Sequence, residues 1–199
     1  MPAKRDTANR ILDVAERLVQ VRGFNAFSYA DVAKDVGVRK ASLHHHFPTK
    51  GILGAALIER YHRRFFEALA AIDADDADAG DRLEAYAGLY GAVLRRKRMC
   101  LCGMLATDAA TLPKAMRDRI AGFFDENETW LAGVLEAGRR RGELRFDGPA
   151  TPLAEVIVSS LEGAMLVSRA SGSARHFDHV AKRLLDSVRP REGRRAPRR

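Results

Sequence analysis

The amino-acid sequence predicts an all-α protein. Apolar residues recur at spacings of three and four along most of the chain, and no long stretch alternates apolar and polar residues as a half-buried strand would. Glycine and proline separate these segments, notably at Gly23, Gly37, Pro48 and Gly142. With 199 residues, 46% of them hydrophobic, the chain is long enough to bury a core in one or two modest domains.

The net charge of +8 lies almost entirely at the two ends of the chain. Residues 1–50 hold nine Lys or Arg and five Asp or Glu, whereas residues 51–188 are close to neutral. A basic end on a neutral body favours a polyanionic partner for that end alone, although a solvated basic surface would carry the same charge. Residues 190–199 are rich in arginine and are predicted to form a basic disordered tail, either a second DNA contact or a solubilising segment.

The spacing predicts nine helices in two parts. The first three form an N-terminal head over residues 1–48, with Ser28 and Asp31 in a capping-box pattern at the start of the second helix. A fourth helix, capped by Thr49, links the head to a five-helix body, and together they make up residues 49–189. The predicted helices span residues 7–22, 28–36, 40–47, 50–72, 82–96, 99–111, 113–141, 150–171 and 174–189, with the acidic stretch 73–81 as a loop.

The segment from Ser28 to Lys50 has the pattern of a helix-turn-helix. Two short helices are joined by a tight turn at Gly37, and apolar residues such as Leu43 and Phe47 hold them against the first helix. In this motif the second helix enters the major groove of DNA. The third helix of the chain is therefore expected to read double-stranded operator DNA.

The residues left on the outside of this motif are short or polar. Those on the third helix can approach base edges, and those around it can bond phosphates, which the free N–H groups at the start of the fourth helix also favour. The predicted DNA-binding residues are Ser28, Tyr29, Arg39, Lys40, Ala41, Ser42, His44, His45, His46, Thr49 and Lys50.

Residues 7–57 resemble the DNA-binding region of TetR-type repressors of the TetR/AcrR family. The residues that carry this resemblance are Gly37, Ser42, Leu43, His44, His46, Phe47 and Lys50. Three positions depart from the family pattern: His44 replaces the usual Tyr, Arg39 stands where a capping Ser is common, and Gly51 replaces an acidic residue. The resemblance implies a ligand-responsive dimeric repressor that binds palindromic operator DNA and is released by a small apolar or aromatic effector.

The resemblance also implies an effector pocket in the helical body. The body has aromatic and methionine side chains that could line a pocket and polar groups that could orient a ligand. Core packing accounts equally well for each of these residues. The predicted effector-binding residues are Tyr86, Tyr90, Met104, Phe123, Asn127, Trp130 and Met165.

The last two predicted helices suit self-association. Each carries an apolar stripe, and two such stripes meeting their copies would form a four-helix interface, although packing within one chain would use the same residues. A helix-turn-helix that reads a palindrome also needs a partner, which favours a homodimer. The predicted interface residues are Ile157, Leu161, Ala164, Phe177, Val180 and Leu184.

Cys100 and Cys102 offer an alternative function, that of a thiol-based redox or electrophile-sensing regulator. This function requires an exposed thiol with a depressed pKa, whereas free cysteines among Met and Leu are usually core residues. Residues two apart on a helix do not face each other, so no disulfide between them is expected. Together with the lack of a secretory signal, this predicts a reducing, cytoplasmic location.

Other function classes find little support in the sequence. No catalytic triad, phosphate-binding loop or zinc spacing is visible, so neither enzymatic activity nor a cofactor is expected. The three consecutive histidines from His44 to His46 point about 100° apart on a helix and cannot converge on one metal ion. The longest apolar stretch, residues 152–170, contains three charged residues and is predicted to be a buried helix rather than a membrane span.

Overall fold

The computed structural model describes the backbone of residues 2–190 and the side chains of residues 6–190. Within that range the chain forms nine α-helices and one short 3-10 turn, Ala109–Thr111, and no β-strand. The predicted tail over residues 190–199 lies outside the described residues, apart from Pro190. The helices are α1 (Pro2–Arg22), α2 (Tyr29–Val36), α3 (Lys40–His46), α4 (Lys50–Ala74), α5 (Ala79–Arg95), α6 (Leu101–Thr107), α7 (Lys114–Arg141), α8 (Ala150–Ser171) and α9 (Arg175–Asp186).

The predicted all-α fold is confirmed, and the acidic loop is shorter than the sequence predicts. α4 continues to Ala74 and α5 already begins at Ala79, so the loop covers residues 75–78 rather than 73–81. The early start of α5 is due to Asp78, whose carboxylate accepts a hydrogen bond from the backbone N–H of Asp81 at 2.9 Å and caps the helix. The helix predicted over residues 99–111 divides into α6 and the 3-10 turn.

The head is held together by caps and a small apolar core. The backbone N–H of Ser28 donates to the Asp31 carboxylate at 2.7 Å, and the Ser28 hydroxyl oxygen accepts from the backbone N–H of Asp31 at 3.4 Å, which together form the predicted capping box of α2. Gly37 ends α2 with φ of 76°, a left-handed conformation that glycine adopts at little cost. Leu43 is fully buried and anchors α3 in the core of the head.

α1 also connects the head to the body. Its Asp13 and Glu16 carboxylates accept hydrogen bonds from the buried Arg60 guanidinium of α4 at 2.8 and 2.5 Å. A buried cation with two carboxylate partners fixes the angle between these helices, because breaking either pair leaves a charge poorly compensated. α1 contacts α4 and α6 of the body as well as α2 of the head. Its contacts therefore extend across the domain border predicted at residue 48, and that border stays a prediction.

The body packs around α8, which contacts α5, α7 and α9. Ile157, Leu161 and Met165 on this helix are completely buried. Among the described helices α8 is the one that is long and apolar enough to cross a membrane by length and composition. Of its most apolar stretch, 39% is buried within the chain, which includes the face formed by Ile157, Leu161 and Met165.

Candidate DNA-binding surface and body cavity

α3 presents its polar side chains away from the core of the head. Apart from the inward-facing Leu43, it consists of neutral and basic residues and has no acidic one, so its outer surface suits a major groove lined by phosphates. Exposed positions among the predicted contacts are Ser28, Arg39, Lys40, Ala41, His44, His45 and Thr49; half-buried ones are Ser42, His46 and Lys50.

Tyr29 is the one predicted contact that lies in the core. It is 7% exposed, its hydroxyl donates to the backbone carbonyl of Phe47 at 2.7 Å, and burial raises its pKa to about 12. The His44 ring packs against it, with ring centroids 4.8 Å apart. Tyr29 therefore joins the start of α2 to the end of α3 and supports the reading helix from behind.

Ser28 and Thr49 lie at the exposed starts of α2 and α4. Thr49 Oγ1 accepts a hydrogen bond from the backbone N–H of Ile52 at 3.2 Å, and Ser28 forms the capping box described above. The hydroxyls thus fix the helix starts, and the remaining free N–H groups of the first turns are available to a phosphate.

Lys50 is largely engaged within the head. Its ammonium donates to the carbonyls of Phe24 at 2.5 Å and Phe27 at 2.6 Å, and it lies over both aromatic rings. Burial lowers the pKa of Lys50 from its ordinary value. Because two of its three N–H donors are occupied, Lys50 clamps the loop between α1 and α2 to the start of α4.

The same loop is fastened to the body by Asp108, after α6. One carboxylate oxygen accepts from the backbone N–H of Phe24 at 2.7 Å, and the other accepts from the side-chain amide of Asn25 at 3.1 Å. Gly23 permits this approach: its φ is 92°, and a Cβ added to it would lie 3.3 Å from the Asp108 carboxylate. Asp108 thus links the end of α1 to the body.

A cavity of about 280 Å³ opens between α1, α4, α5 and α8. One wall comes from the end of α1, where Gln20 is 3% exposed and its side-chain oxygen has no hydrogen-bond partner among the described residues. A buried acceptor without a donor is uncommon in a folded protein and suits a ligand that supplies one. The lining residues are Glu16, Gln20, Tyr61, Arg64, Phe65, Ala68, Leu89, Tyr90, Val93, Arg96, Arg98, Cys100 and Met165.

Two of the predicted effector residues, Tyr90 and Met165, line this cavity. Behind Tyr90 lie two more of them in a closed hydrogen-bond ring: Tyr86 donates to the Asn127 carbonyl at 3.0 Å, and the Asn127 amide donates to the Tyr90 hydroxyl at 2.9 Å. The two phenols lie 3.1 Å apart and complete the ring. Burial raises the pKa of both tyrosines, so the ring stays neutral and holds Tyr90 in place.

Three other predicted effector residues lie away from the cavity lining. Phe123 is fully buried against Phe65, with ring centroids 5.1 Å apart. The indole N–H of Trp130 donates to the Asp73 carboxylate at 2.7 Å, on an exposed part of the body. Met104 packs at the junction with the head, where its sulfur accepts from Arg169 at 3.1 Å. Packing and hydrogen bonding within the chain account for all three.

Sequence reasoning missed the α4 wall of the cavity. Tyr61, Phe65 and Ala68 lie three or four residues apart and share one face of α4, so the helical spacing was available as a signal. The sequence predicts helix four as a connector between head and body, which assigns no role to its apolar face. Gln20 gave no such signal, because only the packing of α1 shows that its amide is buried.

The thiol-sensing alternative is not favoured by the structure. Cys100 and Cys102 are free of a disulfide and are 1% and 0% exposed. Burial, aided by the nearby Glu162 carboxylate, raises the pKa of both thiols well above the ordinary value. A sensing thiol needs the opposite conditions, exposure and a lowered pKa, and the arginines of residues 95–98 do not provide them here.

Most of the predicted dimer residues already have partners within one chain. Ile157, Leu161, Ala164 and Phe177 are at most 4% exposed in the isolated chain, whereas Val180 and Leu184 are half-buried and line a surface groove. The apolar side chains of α8 that remain exposed are Val156, Leu166 and Val167, about half exposed each. The stripes on α8 and α9 thus pack mainly against the chain's own core.

The exposed helix α3 is neutral to basic, and a glycine turn sets it on a three-helix head that is joined to a helical body. This arrangement defines a DNA-binding transcription regulator. Two family models match the chain: one of bacterial regulatory proteins of the tetR family over residues 11–57, and one of the tetracyclin repressor-like C-terminal domain over residues 79–184. The chain therefore belongs to the TetR family.

Similar proteins agree with this assignment. A TetR-family transcriptional regulator from Agrobacterium tumefaciens has a crystal structure that superposes with a TM-score of 0.91 at 32% identity, over 94% of this chain and all of that one. The transcriptional repressor NemR of Escherichia coli K12 is 28% identical over 85% of this chain and 87% of its own length. The nucleoid occlusion factor SlmA of Marinobacter nauticus is 30% identical over 81% of this chain and 82% of its own length.

Proposed function

We propose that this protein is a cytoplasmic homodimeric repressor that binds palindromic operator DNA through α3 and is released by a small apolar or aromatic effector. The observation that carries the proposal is the shared helix α1. It forms part of the head that holds α3, and its Glu16 and Gln20 also line the body cavity. A molecule in that cavity therefore touches α1, which packs against α2, and α2 in turn packs against the reading helix α3.

The cavity suits a small, flat molecule with one hydrogen-bond donor. Tyr61, Phe65 and Leu89 supply apolar and aromatic walls, and the unpartnered oxygen of Gln20 supplies the acceptor. A volume of about 280 Å³ is near the lower end of the range for ligand pockets, which limits the effector to a small molecule.

Release follows as a population shift. The effector favours a position of α1 that fits the filled cavity, and α1 carries the Phe24 and Asn25 loop whose contacts with Lys50 and Asp108 orient the head. In a dimer, both reading helices must match groove positions about 34–36 Å apart, so a small rotation of each head weakens binding. The coupling between effector and operator is expected to be about 1–3 kcal/mol.

The dimer interface is proposed on the outer faces of α8 and α9. Val156, Leu166 and Val167 of α8 are exposed, and the half-buried Val180 and Leu184 of α9 line a groove with Ser160 of α8. Val167→Glu should yield folded monomers in sedimentation, because a charge in an apolar interface costs several kcal/mol. Ile52→Glu, at a similarly exposed apolar position on α4, is the control and should stay dimeric. An intact dimer of the Val167 variant would place the interface elsewhere.

A cavity-filling variant tests the effector site. Ala68→Trp places an indole in the cavity from α4 and should leave operator binding intact while blocking release. A library of small aromatic compounds is screened for release of wild-type protein from a labelled operator fragment, and each active compound is repeated with the variant. Release of Ala68→Trp at the same concentrations as the wild type would contradict the proposed cavity.

A further inference from the structure

A second cleft, of about 500 Å³, lies at the head-proximal end of the body. It is formed by the end of α5 with the turn that follows it and by the end of α8 with the turn to α9. None of the described residues that line it is acidic, and four are cationic. The lining residues are Leu94, Arg95, Lys97, Arg98, Met99, Ser168, Arg169, Gly172, Ser173 and Ala174.

The charge of this cleft exceeds what its surroundings neutralise. The carbonyl ends of α5 and α8 each contribute roughly half a negative charge, which accounts for part of the excess of cations. Asp178 neutralises part of this charge, since its carboxylate lies 3.8 Å from the Arg95 guanidinium. An excess of about two positive charges remains around a concave, partly apolar surface.

The floor of the cleft carries an unpartnered hydroxyl. Ser168 is 2% exposed, and its Oγ has no hydrogen-bond partner among the described residues. An oxyanion supplies the acceptor that a buried hydroxyl beside cationic side chains lacks. It accepts hydrogen bonds from the hydroxyl and from a guanidinium at the same time. Arg98 is half-buried and has no ion pair within residues 6–190, so its donors are free for that contact.

We propose that this cleft binds a small organic oxyanion, a phosphate or carboxylate on a compact apolar body. Arg98, Arg169 and the Ser168 hydroxyl hold the charged group, and Leu94 with Met99 contacts the apolar part. The site is separate from the effector cavity, although Arg98 lies at the border of both.

Arg169 gives the cleft a route to the head. Its guanidinium donates to the carbonyl of Val21, near the end of α1, at 2.5 Å and to the sulfur of Met104 at 3.1 Å. A bound oxyanion draws the Arg169 guanidinium towards the cleft and away from these acceptors, because a charged acceptor forms a stronger hydrogen bond than a carbonyl or a thioether. Occupancy therefore loosens α1 from α8 and lowers operator affinity. This second step rests on the proposed repressor function, whereas the binding site itself does not.

Direct binding is measured by calorimetry on the full-length protein with phenyl phosphate as the probe and phenol as its uncharged control. Saturable binding of phenyl phosphate in the millimolar range or tighter is expected. Arg169 lines the cleft and not the effector cavity, so Arg169→Gln should weaken the binding of phenyl phosphate without changing any binding of phenol. Arg98→Gln should weaken it by at least about tenfold, and Ser168→Ala by a smaller factor. Arg140→Gln removes an exposed cation from α7 and should bind as the wild type does.

Arg98 lies in a surface turn, so Arg98→Gln should fold, and circular dichroism checks that it does. Arg169→Gln is the second variant that removes a positive charge from the cleft. The site is overturned if phenyl phosphate shows no saturable binding, or if both variants bind it as tightly as Arg140→Gln. In a separate experiment, phenyl phosphate at matched ionic strength should reduce operator affinity of the wild type. Binding in the cleft without any change in operator affinity would overturn the coupling through Arg169 and leave the site standing.

Discussion

Replacing Asp108 with alanine removes the hydrogen bonds that fasten the loop between α1 and α2 to the body. The main loss is the charged hydrogen bond from the Phe24 backbone N–H at 2.7 Å, which typically contributes about 1.5–3 kcal/mol. The bond from the Asn25 amide is exposed and adds little, because water replaces the carboxylate there. A decrease of about 2–3 kcal/mol in the free energy of unfolding is therefore expected.

The assay is thermal and urea unfolding at one fixed protein concentration, since the stability of a dimer depends on concentration. For a chain of this length, the expected loss corresponds to a decrease in Tm of roughly 5–10 °C. The matched control is Asp118→Ala, which removes an exposed carboxylate whose ion-pair partner is Lys114 on the same helix and should change stability by less than about 0.5 kcal/mol. Equal stability of the two variants would refute the claim that Asp108 fastens the loop to the body.

Three further predictions concern single side chains. Burial raises the pKa of Glu162 to about 7, so the folded protein retains a proton that the unfolded chain releases near pH 4.5. The contribution of Glu162 to the free energy of unfolding is therefore greatest below pH 4.5. It falls by about 3 kcal/mol as the pH rises to about 7. Urea unfolding from pH 5 to 8 should show this slope in the wild type and not in Glu162→Gln, and equal slopes would count against it. Lys50→Met should destabilise the protein by about 2–3 kcal/mol without flattening the salt dependence of operator binding, whereas a flattening by about one unit would indicate a phosphate contact. Lys40→Ala should alter which operator sequences are preferred, and a uniform loss of affinity across sequences in a binding selection would show that Lys40 contacts only phosphate.

Helix order could be predicted from sequence because its signals are local. The capping box at Ser28 and the glycine at residue 37 act within four residues, and both have the predicted conformations. The contacts of Lys50 could not be found in this way, because the carbonyls it binds lie 26 and 23 residues earlier in the chain. Its position at a helix start suggested a phosphate contact, and only the folded loop shows what occupies its donors.

The residues of the cavity and of the dimer surface could not be predicted from hydrophobic periodicity alone. An apolar stripe shows which face of a helix leaves water, without showing whether a neighbouring helix, a ligand or a second chain covers it. Leu161 and Val167 belong to the same apolar helix, yet one is fully buried and the other half exposed. Likewise Tyr90 borders the cavity while Tyr86, one turn earlier, lies in the hydrogen-bond ring behind it.

The central claim is that α3 of a dimer reads a palindromic operator, and selection of genomic DNA fragments followed by footprinting tests it most directly. The account predicts enrichment of a sequence with two inverted half-sites whose centres lie about one helical turn or a small multiple of it apart. It also predicts that Val167→Glu, as a monomer, loses this enrichment while retaining weak salt-dependent binding. Binding to all fragments alike, or protection of a single half-site by the wild-type protein, would contradict the account.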